Sequence, residues 1–149
     1  MRSAHVIGVM FVSSFVIQYF FMSTIMIEKL ADFTFNKSKV YMSIIMGLFM
    51  GLVEVIMHDH QYGVFSKKMY FIFGLLLSFF IYSYRAQVSI GDKQYLEEMI
   101  EHHSMALLTS KRIIEKTDDY KVSKIAKDIL RKQNDEIVAI RAIIQHLDE

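Results

Sequence analysis

Residues 40–57 read VYMSIIMGLFMGLVEVIM, and Glu54 is the one acidic or basic side chain among them. A run of this length and composition approaches the roughly 20 residues that a helix needs to cross the hydrocarbon core of a bilayer, where the backbone must satisfy its own polar groups. The chain contains no Pro to break a helix, and no segment shows the apolar/polar alternation of a half-buried strand, so the expected fold is entirely α-helical.

Two similar runs flank this one. The first extends from about His5 to Ile27, with Arg2 ahead of it and Glu28-Lys29 behind. It is longer than the apolar core of a signal peptide and ends without a small-residue cleavage site, so it reads as a retained span. The third runs from about Met69 to Tyr84, starting nearer Val64 if Lys67 and Lys68 reach out to the interface. The connections ADFTFNKSK and HDHQYGVFSKK are short, which makes neighbouring spans antiparallel. The expectation is three transmembrane helices in residues 1–88, followed by a separate domain in residues 89–149. With three crossings the amino terminus and the tail lie on opposite sides. Lys and Arg near the span ends come close to a tie, so charge does not orient the protein.

Charge divides the chain at the same place. Up to Tyr84 there are six Lys/Arg and four Asp/Glu, whereas Arg85 to Glu149 holds eleven and twelve. The tail is therefore water-facing. Its signs are interspersed without a basic stripe, which argues against nucleic acid as a partner. With no Cys, disulfides, thiolate sites and a Cys nucleophile are excluded, leaving His, Met, Asp and Glu as candidate ligands.

After the linker Ser89-Ile90-Gly91, Asp92 is placed to cap a helix. Along that helix Leu96, Met99/Ile100, His103, Ala106/Leu107, Ser110 and Ile113/Ile114 recur at helical spacing. Thr117-Asp118-Asp119 ends it and starts another, with the stripe Val122, Ile125/Ala126, Ile129, Gln133, Glu136/Ile137, Ile140 and Ile143/Ile144. Antiparallel helices pair residues equidistant from their turn, and His103 and Gln133 are each fifteen residues from Asp118. A polar layer is expected where His103 meets Gln133 and Glu136. Buried polar groups must be paired, so this layer is either a structural hydrogen-bond network or part of a metal site. His102 points elsewhere, toward Glu98, Met105 and Thr109. An apolar stripe on a lone hairpin is hard to bury, which calls for a second copy, another helical domain or the membrane surface.

The string MIEHH (Met99 to His103), then Ala106, then Gln133, Glu136 and Ile137, resembles the family catalogued as domain of unknown function 305. The resemblance covers roughly Gly91 to Ile144. It implies a ferritin-like helical fold, in some members associated with copper and in some carried behind hydrophobic spans. It further implies His102, His103, Met99 and Glu136 as metal ligands, to which this chain adds Met105, and an extracytoplasmic tail. Two positions depart from the family pattern, because Thr109 and Ile140 stand where it has Met. Two soft thioether ligands are thereby missing, for which Met105 substitutes in part.

In the membrane part, Met42, Met46, Met50, Glu54 and His58 follow at every fourth position and share one side of the second span. They form either a path for a soft cation or an ordinary packing row. Ser43, Gly47 and Gly51 make a small-residue row that permits close helix approach, within the bundle or in a dimer. His58-Asp59-His60 could hold a divalent ion or simply be solvated. The expected function is a membrane-anchored ferritin-like domain that binds copper, not an enzyme, since no Ser/His/Asp set is evident and the tail lacks the E-x-x-H pairs of di-iron bundles. The alternative is a membrane-tethered helical module for interaction or oligomerisation, with no metal function. Membrane lipid and a second copy of the chain are the expected partners.

Overall fold

The structure is a computed structural model that describes residues 2–148, with side chains from Ala4 onward. Among the described residues every regular element is helical. The helices are α1 (Arg2–Val16), which runs through a π-helical stretch (Ile17–Met22) into α2 (Ser23–Met26), a 3-10 turn (Leu30–Asp32), α3 (Lys37–Tyr62), α4 (Lys67–Arg85), α5 (Asp92–Ile114) and α6 (Tyr120–Leu147). They form two compact units. One comprises Met1–Met22 with Lys37–Ile90, and the other Ser23–Asn36 with Gly91–Glu149.

In the first unit α3 is central, because its small residues let two aromatic rings close on it. A methyl group built on Gly47 would lie 2.8 Å from the Phe11 ring, and one on Gly51 would lie 2.9 Å from the Phe73 ring. The Ser43/Gly47/Gly51 row is thus used for packing within the chain, with Ser43 fully buried. Ile45, Leu48, Val55, Phe73 and Leu77 form the core beside it. The outer faces are as apolar as the core: Val9, Phe71, Leu75 and Phe79 are each about 60% exposed or more. Water would penalise a continuous surface of this kind.

Two helices, Ala4–Met26 and Lys37–Tyr62, are long and apolar enough to cross a membrane. The expected third falls short of that standard. α4 has 19 residues, and Lys67, Lys68 and Arg85 occupy its ends, which leaves a short apolar stretch between them. The turn into α4 is made by Asp59, whose buried carboxylate accepts from the Ser66 backbone N–H at 2.6 Å and from its hydroxyl at 2.8 Å. Gly63, at φ +63°, supplies the left-handed residue that this reversal requires.

The second unit is an antiparallel hairpin of α5 and α6. Asp119 caps α6, accepting from the backbone N–H groups of Lys121 and Val122 at 2.7 and 3.0 Å. At the far end Lys93 pairs with Asp148 at 2.5 Å. Asp92 does not cap α5. Gly91 holds the cap position and no side chain bonds there.

The residues facing across the hairpin are Leu96, Ile100, His103, Leu107, Ser110 and Ile114 on α5, and Ala126, Leu130, Gln133, Ile137, Ile140 and Ile144 on α6. Both series advance by alternating threes and fours, the spacing of a two-helix seam. Val122, Ile125, Ile129 and Ile143, expected in the same stripe, are exposed. A contact between only two helices buries a strip too narrow to include them.

Candidate functional site

The MIEHHSM segment lies in mid-α5, and its side chains leave the helix in three directions. His103 faces α6, where its Nδ1 meets Gln133 Oε1 in a short hydrogen bond and its Nε2 lies 3.6 Å from Glu136. The polar layer therefore forms at the level that symmetry about Asp118 requires. His102 points away from this layer. Its side chain is 57% exposed, and Glu98 Oε1 lies 3.7 Å from its Nε2. The two imidazoles, adjacent in sequence, thus do not share a site, because successive helix residues diverge by about 100°.

Of the five expected ligands, His103 and Glu136 come together across the hairpin, while Met99 and Met105 stand three residues on either side of His102 on α5. At the two positions where thioethers are missing, Thr109 bonds back to the Met105 carbonyl at 3.0 Å and Ile140 packs half-buried in the seam. Among the described residues no group of three or more His, Asp or Glu side chains is gathered as a metal site. In the His58-Asp59-His60 triplet, Asp59 is engaged by Ser66, His58 packs against Tyr62 and His60 is exposed. Met42 and Met46 are partly exposed on the outside of α3.

The third direction leads to residues that the sequence reading did not single out. Glu101, between Ile100 and His102, is 7% exposed and faces the segment Ser23–Asn36. Its carboxylate accepts from the Ser23 hydroxyl at 2.5 Å, from the Thr34 backbone N–H at 2.7 Å and from the Thr34 hydroxyl at 2.9 Å. One turn on, the fully buried Ser104 accepts from the Glu28 backbone N–H at 2.8 Å and donates to Asp32 at 2.6 Å. Asp32 in turn pairs with Arg141 of α6 at 2.5 Å, and Glu28 with Lys111 at 2.5 Å. The connection between the first two apolar helices is thereby held by four polar side chains of the hairpin, Glu101, Ser104, Lys111 and Arg141. The available signal was Glu101 and Ser104, spaced i, i+3 on a face that no apolar stripe explained.

One group near this clamp is electrostatically unsettled. Burial pushes the Glu97 carboxyl above the ordinary carboxylate range; Lys93 opposes the shift and Asp148 adds to it.

Taken together, an apolar helical unit and a hairpin with a polar internal layer define an all-helical protein of two unlike halves. Residues 84–148 match a domain of unknown function (DUF305). The chain is also 32% identical over 136 residues to an uncharacterised protein of Acanthamoeba polyphaga mimivirus, a match spanning 91% of this chain and 88% of the relative. Similarity on that scale necessarily extends from the hairpin into the apolar helices. No solved structure matches.

Proposed function

We propose that the protein is a three-span membrane protein that carries its hairpin at the membrane surface as a binding module for a soft metal ion, copper being the best fit. The observation that carries the metal reading is the row Met99, His102, Met105 on α5. It places one exposed imidazole between two thioethers at i−3 and i+3, and thioether with imidazole is a donor set that suits copper in its reduced form. Residues three apart on a helix have Cβ atoms about 5–6 Å apart, so His102 can share an ion with either Met, whereas all three cannot converge from one straight helix. A ligand from a second copy would complete the shell. His103, Gln133 and Glu136 act in this reading as the internal brace that fixes α5 against α6.

Crossing by α4 is supported by the make-up of the second unit. Ser23–Asn36 follows one apolar helix and precedes the next, so it lies across the membrane from the start of the chain. The hairpin packs on that segment and must share its side. Because α3 returns the chain to the starting side, α4 is the segment left to bring it back. Its exposed Phe71, Leu75 and Phe79 suit a lipid-facing helix, with Lys67, Lys68 and Arg85 at the two interfaces. We place the hairpin outside the cytoplasm, as the family resemblance implies.

The test is a copper(I) titration of the full-length protein in detergent. Binding should be lost in His102→Ala and weakened in Met99→Leu and Met105→Leu, and His103→Ala should alter stability more than affinity. Undiminished binding by His102→Ala overturns the site. A second reading, assembly without metal, is favoured by the exposed Val122, Ile125 and Ile129 on α6. If it holds, Ile125→Lys with Ile129→Lys should dissociate an oligomer that copper does not affect.

A further inference from the structure

The second unit contains a pocket of about 300 Å³ whose rim carries Lys29, Lys111, Lys127 and Arg131, with Glu28 as its one acid. Its floor is apolar, formed by Leu107 and Leu130. Glu28 is already matched by Lys111 at 2.5 Å, while among the described residues Lys127 has no ion-pair partner and Arg131 only a long contact of 3.6 Å to Asp128. The pocket therefore presents a surplus of positive charge. A second observation also points to a ligand: Oε2 of Glu28 is buried with no hydrogen-bond donor among the described residues, the Lys29 ammonium lying beyond hydrogen-bond reach at 3.8 Å. Leaving such an atom unmet is costly, and a hydroxyl or ammonium group brought by a ligand would meet it.

The place of the pocket along the chain identifies its ligand. Glu28 and Lys29 follow the first apolar helix, Ala4–Met26, within three residues. A residue at that distance from the end of a span sits among lipid headgroups. We propose that this pocket binds the phosphate of a phospholipid headgroup, with Lys127 and Arg131 on the phosphate oxygens and a headgroup hydroxyl or ammonium donating to Glu28. The proposal rests on the membrane placement of the first helix, and it is independent of the copper reading.

The test uses full-length protein in dodecyl maltoside, following its melting temperature and lipid binding as short-chain phosphatidylglycerol, short-chain phosphatidylcholine or inorganic phosphate is added. Phosphatidylglycerol should bind and raise the melting temperature, and phosphatidylcholine, which has neither net charge nor a donor, should bind much more weakly. Lys127→Gln with Arg131→Gln should weaken the phosphatidylglycerol effect about thirtyfold, a factor of about five for each removed charge. Lys121→Gln with Lys124→Gln, on the same helix but outside the pocket, should leave it unchanged. Equal losses in both double variants would reduce the effect to general surface charge and overturn the site. Inorganic phosphate binding as tightly as the lipid would overturn the lipid assignment. A protein that leaves the membrane fraction on alkaline washing, yet still binds phosphate through Lys127 and Arg131, would refute the membrane placement and the lipid assignment with it, leaving a phosphate site.

Discussion

His102 and His103 show how far one helix position separates two identical side chains. His103 is locked between Gln133 and Glu136, whereas His102 is open to solvent. Replacing His103 alone by Leu strands the Gln133 amide, and about 1–3 kcal/mol of stability should be lost in chemical unfolding. Adding Gln133→Leu should recover most of that loss, since two apolar partners leave no orphan. A double-mutant cycle reads the coupling directly. Glu101 admits no such rescue: Glu101→Ala removes three acceptor contacts at once, and a loss of about 1–3 kcal/mol should appear with faster proteolysis of Ser23–Asn36. Glu97 should act in the opposite sense. Its folded-state affinity for a proton exceeds the unfolded one, so stability falls as pH rises from the ordinary carboxylate range through the raised value. Glu97→Gln should therefore raise the melting temperature at about pH 7, and the gain should vanish at about pH 4.

At the level of elements, the close approach of α1 and α4 to α3 depends on two missing methyl groups. Gly47→Ala should cost about 1–3 kcal/mol, because its Cβ would meet both the Phe11 ring and the Phe11 carbonyl oxygen at 3.0 Å. A melt of the variant in detergent measures this. Much of the element map was legible in the sequence, since long apolar runs and the three-four recurrence of Leu96, Ile100, Leu107 and Ile114 depend only on local geometry. The hairpin register followed from counting about Asp118. The breadth of the buried stripe did not, because exposure of Ile125 and Ile129 depends on how many helices pack together. The clamp on Glu101 was equally hidden: its partners lie 67 and 78 residues away, and no periodic pattern links a loop to a helix face.

For the whole molecule, the decisive expectation concerns sidedness. Single Cys residues placed at Gln61 and at Asp118 should react with a membrane-impermeant thiol reagent from opposite sides of the membrane. Labelling of both from one side would leave α4 outside the bilayer and remove the third crossing. That arrangement would also separate the hairpin from the segment it packs on.

The clamp between Asp32 and Arg141 also sets a timetable for synthesis. The two residues are 109 positions apart, so at ordinary elongation rates about 5–20 s pass between their appearances from the ribosome. Through that interval Ser23–Asn36 can meet Glu101 and Ser104 of α5 but waits for Arg141. The first two apolar helices can enter the bilayer early, but the second unit cannot close until the last turns of α6 have been made. A nascent chain stalled before α6 should consequently display a protease-sensitive Ser23–Asn36, and release of the full chain should protect it.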